Sequence, residues 1–279
     1  LGPNGAGKTT SINMICGLLK PDAGRVLLHG KPIDSGDRSA RALVGMCPQH
    51  IVLWERLTCI EQLIFIGRMY GQSGRVARQR GDQLLEELDL VEKRDKQART
   101  LSGGMQRRLN LAMALVHDPE IIVLDEPEAG LDPQSRVRVR EYIQSLARRK
   151  TVILTTHNMD EADRLADRVA IIDHGQLLVL DTPEALKRGV GEGDVLEIHI
   201  NGQAGQDANI SSALQPLGKQ IVFQIAAGAL TVRALNAVNL LPSILDALAS
   251  AGIQPGEVRL RQNTLEDVFI QLTGRRLRQ

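Results

Sequence analysis

The sequence predicts an α/β protein, with a mostly parallel sheet covered by helices and a smaller α+β domain after it. Two short runs that are apolar on both faces, residues 121–124 and 151–154, are typical of buried parallel strands. Polar-rich helical stretches separate runs of this kind up to about Asp181. The composition then changes at residues 187–194, which predict a linker. We therefore place one domain at residues 1–190 and a second at residues 191–279.

Shorter patterns predict the remaining elements. Residues 25–30 predict a strand and a turn, and residues 42–48 predict a strand that ends at Pro48. Residues 60–100 have helical periodicity and many charges of both signs, which predicts an exposed helical subdomain at about 56–105. After the linker, the order β-α-β-β-α-β-α is typical of a small split-βαβ domain.

A phosphate-binding loop is predicted at the start of the chain, where residues 2–9 match the pattern G-x-x-x-x-G-K-[ST]. Its glycines allow backbone N–H groups to converge on one anion, at the N-terminus of the helix that follows. Lys8 adds a positive charge for the outer phosphates, and Thr9 offers a hydroxyl to Mg²⁺. An ordinary glycine-rich turn is the alternative, which the full match disfavours. The candidate phosphate-binding residues are Gly2, Pro3, Asn4, Gly5, Ala6, Gly7, Lys8, Thr9 and Thr10.

Two acids follow the first buried strand, at the sheet edge where ligands bind in such folds. Asp125 is placed to hold Mg²⁺, directly or through water. Glu126 is the candidate general base that polarises a water toward the γ-phosphate. Two solvated acids at a strand end are the alternative, which the phosphate loop upstream disfavours. We therefore expect ATP and Mg²⁺ as the ligands of this site.

Composition and charge argue against several other classes of protein. The net charge of +1 and the aromatic content of 2% disfavour a nucleic-acid-binding surface. The hydrophobic content of 43% and the charged content of 24% are ordinary for a globular protein. No apolar run approaches the roughly 20 residues that span a bilayer. In a membrane process, we expect another chain to supply the membrane part.

A second helix N-terminus suited to an anion begins at Ser102, a good N-cap residue that is followed by Gly103 and Gly104. The bland alternative is a capped helix without a ligand. Here the sequence resembles the ATP-binding cassette (ABC) family, whose signature is L-S-G-G-Q. Met105 stands in place of the signature glutamine.

The resemblance extends over nearly the whole chain. Gln49 lies at the position of the family's glutamine loop, and Asp132 lies in the loop that contacts the partner cassette. His157 lies at the position of the switch histidine, which contacts the γ-phosphate. The resemblance implies a P-loop NTPase (RecA-like) core with an ABC helical subdomain. It implies that Glu126, His157 and Gln49 are catalytic. It also implies that Thr9, Gln49 and Asp125 bind Mg²⁺. ATP is then bound by the phosphate loop together with Ser102, Gly103, Gly104 and Asp132.

The resemblance also implies a second cassette as partner. Two cassettes pack head to tail in the family, so Lys8 of one chain and Ser102 of the other hold the same ATP. Family cassettes begin with strands and an aromatic residue that stacks on adenine, whereas only Leu1 precedes the loop here. We therefore expect the sequence to be part of a longer chain.

Two stretches, residues 47–58 and 264–274, resemble one branch of the family, the ABC-2-type exporters and their lipid-exporting relatives. This implies an integral membrane permease as partner, a location at the cytoplasmic face of the membrane, and a drug, antibiotic or lipid-like cargo. A short helix of the permease is expected in a groove near Trp54, although Trp54 could equally belong to the core. The alternatives are a non-transport ABC ATPase, acting in translation or on chromosomes, and a nucleotide-gated regulatory module.

Two further positions leave alternatives open. Glu128 stands where the family commonly has Thr or Ser. It is either a tolerated surface change or a charge that alters the pKa of Glu126 or the closing of the dimer. The basic residues 275–278 form either a solvated terminus or a contact with anionic lipid headgroups.

Overall fold

The structure, a computed structural model, describes residues 1–33, 42–190, 193–200, 207–217, 221–226, 229–234 and 237–274. The chain divides into two compact units. Unit 1 comprises Leu1–Leu165 with Ile172–Leu177, and unit 2 comprises Ala166–Ile171 with Leu178–Gln279. The domain boundary predicted at residue 190 stays a prediction. The basic tail at 275–278 lies outside the described residues.

In chain order, the strands of the described residues are β1 (Leu27–Leu28), β2 (Lys31–Pro32), β3 (Val44–Cys47), β4 (Ile121–Asp125), β5 (Thr151–Thr155), β6 (Val169–Asp173), β7 (Gln176–Asp181), β8 (Asp194–Ile200), β9 (Ile221–Ala226), β10 (Ala229–Ala234) and β11 (Pro255–Arg261). The helices of the same ranges are α1 (Lys8–Ile15), α2 (Cys59–Met69), α3 (Gly74–Glu87), α4 (Gly103–Leu115), α5 (Pro133–Ala147), α6 (Met159–Leu165), α7 (Pro183–Gly189), α8 (Asp207–Leu214), α9 (Ala237–Ser250) and α10 (Leu265–Thr273). Short 3₁₀ turns occupy Val91–Lys93, Ala98–Thr100 and Gln215–Leu217. None of these helices, in the ranges described, is long and apolar enough to cross a membrane.

The centre of unit 1 is a parallel sheet in the order β3-β4-β5, which confirms the parallel strands predicted from the two apolar runs. Strand β4 lies in the middle, and its residues Ile122 and Leu124 are fully buried. Asp125 of β4 pairs with Thr155 of β5, and Leu124 pairs with Cys47 of β3. The carboxyl ends of the three strands therefore lie side by side at one edge of the sheet, where ligands bind in such folds.

Helices α2 and α3 lie in the stretch for which a helical subdomain is predicted. Helix α2 begins with a capping box, in which the Thr58 hydroxyl accepts the Glu61 N–H and the Glu61 carboxylate accepts the Thr58 N–H. Leu63 of α2 and Leu84 of α3 are buried in the same core as Leu109 of α4. That core continues to strand β4, so the subdomain and the sheet share one hydrophobic interior.

Unit 2 has its own antiparallel sheet, in the order β11-β8-β10-β9. Its element order and pairing are the split-βαβ arrangement that the sequence predicts. Leu196 of β8, Leu230 of β10 and Ile244 of α9 are buried together in a second core. Helix α10 follows the last strand and begins with a capping box formed by Thr264 and Asp267.

Candidate functional site

Helix α1 begins in the predicted phosphate-binding loop. Gly7 is its N-cap residue and has a φ of 99°, a backbone conformation that a residue with a Cβ rarely adopts. The N–H of Gly175 donates to the carbonyl of Ala6 over 2.9 Å, and the N–H of Ala6 donates to the carbonyl of Pro3 over 3.1 Å. These bonds hold the loop in a defined shape, with the positive end of the α1 dipole beside it.

Lys8 is buried in this loop. Its ammonium donates to the carbonyl oxygens of Gly2 over 2.7 Å and Pro3 over 3.0 Å, and it lies 3.7 Å from Glu126 Oε1. Burial lowers the pKa of Lys8, and the carboxylates of Glu126 and Asp125 act in the opposite direction. The loop carbonyls and the two acids at the end of β4 therefore hold this cation in place.

Asp125 ends strand β4, and its carboxylate is shared between two hydroxyl groups. Thr9 Oγ1 donates to Asp125 Oδ2 over 2.9 Å, although the two residues are 116 positions apart in the chain. Thr155 Oγ1, at the end of β5, donates to Asp125 Oδ1. Asp125 is buried, so these hydroxyl groups compensate for the loss of water around its charge. The structure thus brings together two of the three residues predicted to bind Mg²⁺.

The carboxylate of Glu126 is the point on which three predicted site residues converge. Gln49 Nε2 donates to Glu126 Oε2 over 3.1 Å. His157 Nδ1 lies 3.1 Å from Glu126 Oε1, and the Lys8 ammonium lies 3.7 Å from the same oxygen. Glu126 itself has a φ of 46°, in the left-handed region that residues with a side chain rarely occupy. Backbone strain of this kind concentrates at functional sites.

The predicted signature residues lie at the exposed start of helix α4. Ser102 is the N-cap residue, and its hydroxyl accepts a backbone N–H of the first turn over 3.4 Å. Gly104 packs against the first turn of α5, where an added Cβ would lie 2.5 Å from Ser135 Oγ. Asp132 is the N-cap residue of α5, and its carboxylate accepts the Ser135 N–H over 2.9 Å. Ser102 and Gly103 are exposed, so this helix N-terminus is open to a ligand from outside the chain.

Glu128 is buried, which corrects the expectation of a surface position. It is 5% exposed, and its carboxylate oxygens accept two hydrogen bonds from the Arg140 guanidinium, over 2.9 and 2.7 Å. The Arg136 guanidinium lies 3.9 Å from the same carboxylate. The proposed influence of Glu128 on the pKa of Glu126 stays a prediction.

Glu161 is a residue of this site that the sequence did not reveal. It lies on α6, and its carboxylate accepts a hydrogen bond from the Thr156 hydroxyl, next to His157. Burial raises the pKa of Glu161 to about 7, and the neighbouring charge of Glu128 adds to the shift. A cavity of about 180 Å³ is lined by Glu126, Glu128, Ala129, Gly130, Arg136, Thr156, His157, Asn158 and Glu161. Acids are common in the first turn of a helix, so nothing in the sequence marks Glu161 as unusual. Its burial, which only the structure shows, distinguishes it from other acids at such positions.

Two further residues were not found from the sequence. The Thr155 hydroxyl accepts the Glu126 N–H over 3.1 Å, besides its bond to Asp125. Arg107 lies in α4, is buried, and donates to the backbone carbonyls of Gln49 and Glu126. The available signal for Arg107 was a charged pair, residues 107–108, at the start of an otherwise apolar helical run.

A groove of about 860 Å³ lies within unit 1. Trp54 is 41% exposed there and packs edge-to-face on Phe65, with 5.1 Å between ring centroids. The alternative that Trp54 belongs to the core is therefore wrong. Tyr70 stacks on His117 at the same groove, with 3.7 Å between ring centroids. The lining of the groove is mostly apolar and includes Leu18, Val44, Met46, Val52, Trp54, Ile66, Met69, Tyr70, Met113 and His117.

Comparison with known proteins places the chain among transporter ATPases. Residues 1–129 match the family described as ABC transporter. The daunorubicin resistance ATP-binding protein DrrA3 of Streptomyces coeruleorubidus is 39% identical over 275 residues, covering 98% of this chain and 86% of that protein. The Nod factor export ATP-binding protein I of Burkholderia orbicola is 42% identical over 280 residues, covering 99% and 88%. The linearmycin resistance ATP-binding protein LnrL of Bacillus subtilis is 34% identical over 279 residues, covering 100% and 89%.

Solved structures share the fold. The ATP-binding subunit of an ABC transporter superposes with a TM-score of 0.61 at 29% identity, covering 68% of this chain and 79% of that one. A dimeric ATP-binding cassette in a post-hydrolysis state, bound to ADP and Pi, gives a TM-score of 0.59 at 27% identity, covering 65% and 82%. The predicted P-loop NTPase fold is confirmed. Identity over nearly the full chain and this shared fold together show that the chain belongs to the ABC transporter family, as an ATP-binding subunit with ATPase activity.

Proposed function

We propose that this subunit hydrolyses ATP to power an ABC-2-type exporter, whose separate membrane subunit carries a drug, antibiotic or lipid-like compound across the membrane. The proposal has two halves, a catalytic half, which is ATP hydrolysis, and an export half. The main support for ATP hydrolysis is that Lys8, Gln49 and His157 all lie against the Glu126 carboxylate. The names of the relatives support the export half, because they describe daunorubicin resistance, linearmycin resistance and Nod factor export. The chain then works at the cytoplasmic face of the membrane, held there by the membrane subunit.

Glu126 is the general base in this proposal. Its carboxylate takes a proton from the water that attacks the γ-phosphate. Gln49 and His157 each lie 3.1 Å from that carboxylate, so they orient the base relative to the water and the phosphate. Lys8 supplies positive charge to the outer phosphates, and backbone N–H groups of the phosphate loop that are not bonded within it bind the remaining phosphate oxygens.

Thr9 and Asp125 fit a Mg²⁺ ion. Their hydroxyl and carboxylate oxygens lie 2.9 Å apart, and Mg²⁺ takes oxygen ligands with only one or two carboxylates from the protein. Among the described residues, no group of three His, Cys, Asp or Glu side chains could hold a metal by itself. Gln49 is the third proposed ligand, although its amide donates to Glu126 in this structure. When bound, Mg²⁺ neutralises charge on the phosphate oxygens.

A second cassette completes each ATP site. The exposed N-terminus of α4, at Ser102 and Gly103, carries free backbone donors of the first helical turn and the positive end of the helix dipole. Set against the ATP of a partner cassette, this N-terminus stabilises the charge that develops in the transition state. One of the similar solved structures is itself a dimer of cassettes bound to ADP and Pi, which supports the arrangement. Asp132 and Gly104 lie at the same surface, through their shared neighbour Ser135.

Dimerisation of a Glu126→Gln variant tests the catalytic half. Glutamine keeps the shape of the side chain but cannot take the proton, so we expect turnover to fall about 10²–10⁴-fold while ATP binding persists. ATP should then trap a dimer that light scattering detects. Adding Ser102→Glu should prevent that dimer, because a carboxylate repels the partner's phosphates, and should leave ATP binding intact.

Glu120→Gln is the matched control, because Glu120 precedes β4 at the opposite end of the strand and its side chain is 55% exposed. This variant should hydrolyse ATP at the rate of the unmodified protein. Near-normal turnover by Glu126→Gln would refute the role of Glu126 as the base. A dimer that persists after Ser102→Glu would refute the composite site.

The groove at Trp54 is where we place a cytoplasmic helix of the membrane subunit. It is apolar and carries exposed aromatic side chains, which is typical of a surface that binds another protein. Trp54→Glu should abolish co-purification with the membrane subunit and abolish export, while the ATPase activity of the isolated subunit remains. Val91→Glu is the control, since Val91 is 57% exposed and lies outside the groove lining. Undiminished export by Trp54→Glu would rule out this docking site.

A further inference from the structure

Arg107 of helix α4 makes an unusual set of contacts at the end of the parallel sheet. Its side chain is buried, and each of its five N–H donors reaches one backbone carbonyl. Two carbonyls follow strand β3, those of Pro48 at 2.6 Å and Gln49 at 3.0 Å. The other three end or follow strand β4, those of Asp125 at 2.9 Å, Glu126 at 2.8 Å and Pro127 at 3.1 Å.

This arrangement depends on the shape of the guanidinium. A buried charge is costly unless hydrogen bonds replace the water around it, and here five carbonyl oxygens do so. Only arginine offers five donors in a planar fork; lysine offers three donors around a single point. The contacts therefore require arginine at position 107, and a lysine there would leave carbonyls at the strand ends without partners.

The carbonyls belong to the backbone that carries the reacting side chains. Gln49 and Glu126 come from different strand ends, and their side chains contact each other over 3.1 Å. Glu126 also holds a strained φ of 46°, which persists only where surrounding contacts enforce it. Arg107 Nη2 donates to two backbone carbonyls, that of Asp125 and that of Glu126. These carbonyls come directly before and after the φ and ψ angles of Glu126, so the contact fixes the strained backbone from both sides.

The Arg107 side chain also connects these strand ends to α4, which begins at the signature residues and is called the signature helix below. Arg107 lies in the second turn of α4, which begins after Ser102 and Gly103 at the exposed N-terminus. A helix of this length moves as a rigid element, because every residue is tied to the next turn. A displacement of the N-terminus of α4 is therefore transmitted through Arg107 to the backbone of Gln49 and Glu126.

We propose that Arg107 is a positioning residue that sets the geometry of Gln49 and Glu126 and couples it to the signature helix. The coupling half rests on the composite dimer of the proposed function. In that dimer, α4 of one chain contacts the ATP of its partner, while Arg107 adjusts the catalytic residues of its own chain. ATP bound at one site thereby aligns the base at the other, and hydrolysis is cooperative in ATP.

The test compares Arg107→Lys with Arg108→Lys in the full-length protein. Arg108 is a matched control because it neighbours Arg107 on α4 and is also buried. Its guanidinium donates instead to the carbonyls of Leu88 over 2.6 Å and Asp89 over 3.0 Å, in the helical subdomain. Each rate is divided by the number of chains that bind ATP, so that partial unfolding of a variant does not alter the comparison.

For Arg107→Lys we expect kcat to fall by about 10-fold or more, since misplacing catalytic groups by about 1 Å can cost up to about 100-fold in rate. The Kd for ATP should change less than about threefold, since the phosphate loop is untouched, and the Hill coefficient for ATP should fall toward 1. Arg108→Lys should keep both kcat and the Hill coefficient of the unmodified protein. A merely structural role of Arg107 would lower the fraction of chains that bind ATP, without this loss of kcat per binding chain.

Equal kcat per binding chain in Arg107→Lys and Arg108→Lys would overturn the positioning role. A lower kcat with an unchanged Hill coefficient would support positioning and overturn the coupling. The proposed function fails in a distinguishable way. A Hill coefficient of 1 in the unmodified protein would overturn the coupling alone. Failure of ATP to dimerise the Glu126→Gln variant would contradict the composite dimer, and with it the coupling, while the comparison of kcat would still decide the positioning role.

Discussion

Four buried carboxylates lie at one end of the sheet, and three of them are compensated by different partners. Asp125 accepts from hydroxyl groups, Glu126 lies beside Lys8, and Glu128 pairs with Arg140. Only Glu161 has a carboxylate oxygen, Oε1, that is buried without a hydrogen-bond partner among the described residues. Since a buried carboxylate without full compensation favours its neutral form, Glu161 is the acid whose protonation should respond to pH near neutrality.

Glu161→Gln should change how stability depends on pH. The folded-state pKa of Glu161 is raised to about 7, above the ordinary value for a glutamate, so the folded state binds the extra proton between about pH 4.5 and 7. Stability should therefore fall as pH rises through this window, by on the order of 1–3 kcal/mol. Glutamine resembles the protonated acid, so the variant should match the unmodified protein near pH 4.5 and be more stable at pH 8.

Urea unfolding between pH 4.5 and 8.5 measures this difference. The groups that face Glu161 are Glu128, Arg140, His157 and the Thr156 hydroxyl, and they are unchanged in the variant. Asp160→Asn, at an exposed position of the same helix, is the control and should leave the pH profile unaltered. An equal effect of Glu161→Gln at both ends of the pH range would contradict the assignment.

At the scale of elements, helix α10 explains the exporter-like ending of the sequence. Asp267 caps the helix with Thr264, and its carboxylate also accepts hydrogen bonds from Arg233 of β10 and Arg261 of β11. Leu265, Val268 and Phe269 of the same helix are buried. One acid thus joins a helix start to two strands of the unit 2 sheet, which is a structural reason for this sequence pattern.

Asp267→Asn should destabilise unit 2 and remove an acid transition. Burial alone would raise the pKa of Asp267, but hydrogen bonds from Arg261 and Thr264 hold this pKa at about 2. This depressed pKa stabilises the fold above about pH 4, and the contribution is lost as pH falls toward 2. We expect a loss of about 1–3 kcal/mol at pH 7, because the variant removes the carboxylate that pairs with Arg233 and Arg261, and a smaller loss at pH 3.

Hydrogen exchange of the α10 and β11 amides, followed by mass spectrometry in the full-length protein, measures this change. Glu257→Gln is the control, since Glu257 pairs with Arg259 at the exposed surface of β11. The control should leave exchange unchanged. A loss of protection that is the same at pH 3 and pH 7 would argue against the charge of Asp267 as the cause.

At the scale of the whole molecule, the two units have separate hydrophobic cores. Leu63 belongs to the core of unit 1 and Leu230 to that of unit 2, and both are fully buried. Each Leu→Ala change should cost about 2–5 kcal/mol through lost burial and the cavity it leaves. We expect Leu63→Ala to lower amide protection first in unit 1 and Leu230→Ala to lower it first in unit 2. Equal loss of protection across both units in either variant would show a single cooperative core instead.

Local patterns predicted most of the architecture. The apolar runs at β4 and β5 are short and apolar on both faces, a pattern that is typical of strands in a covered parallel sheet. The phosphate-loop pattern likewise follows from requirements on neighbouring residues, such as the φ of 99° at Gly7. The alternation in β8 and the helical spacing in α9 and α10 predicted the split-βαβ arrangement for the same reason. Each of these signals lies within one segment, so reading it requires no knowledge of distant contacts.

The sequence by itself therefore determined the fold class, the phosphate-loop pattern, the two acids at the end of β4 and the family motifs. Only the tertiary structure decided which side chains meet: Gln49 contacts Glu126 across 77 positions, and His157 contacts it across 31. It also decided that Glu128 is buried against Arg140, that Trp54 is exposed in a groove, and that Arg107 binds two strand ends. The physical reason is that periodicity and turn chemistry act over a few residues, whereas the partner and the burial of a charge depend on segments that only folding brings together.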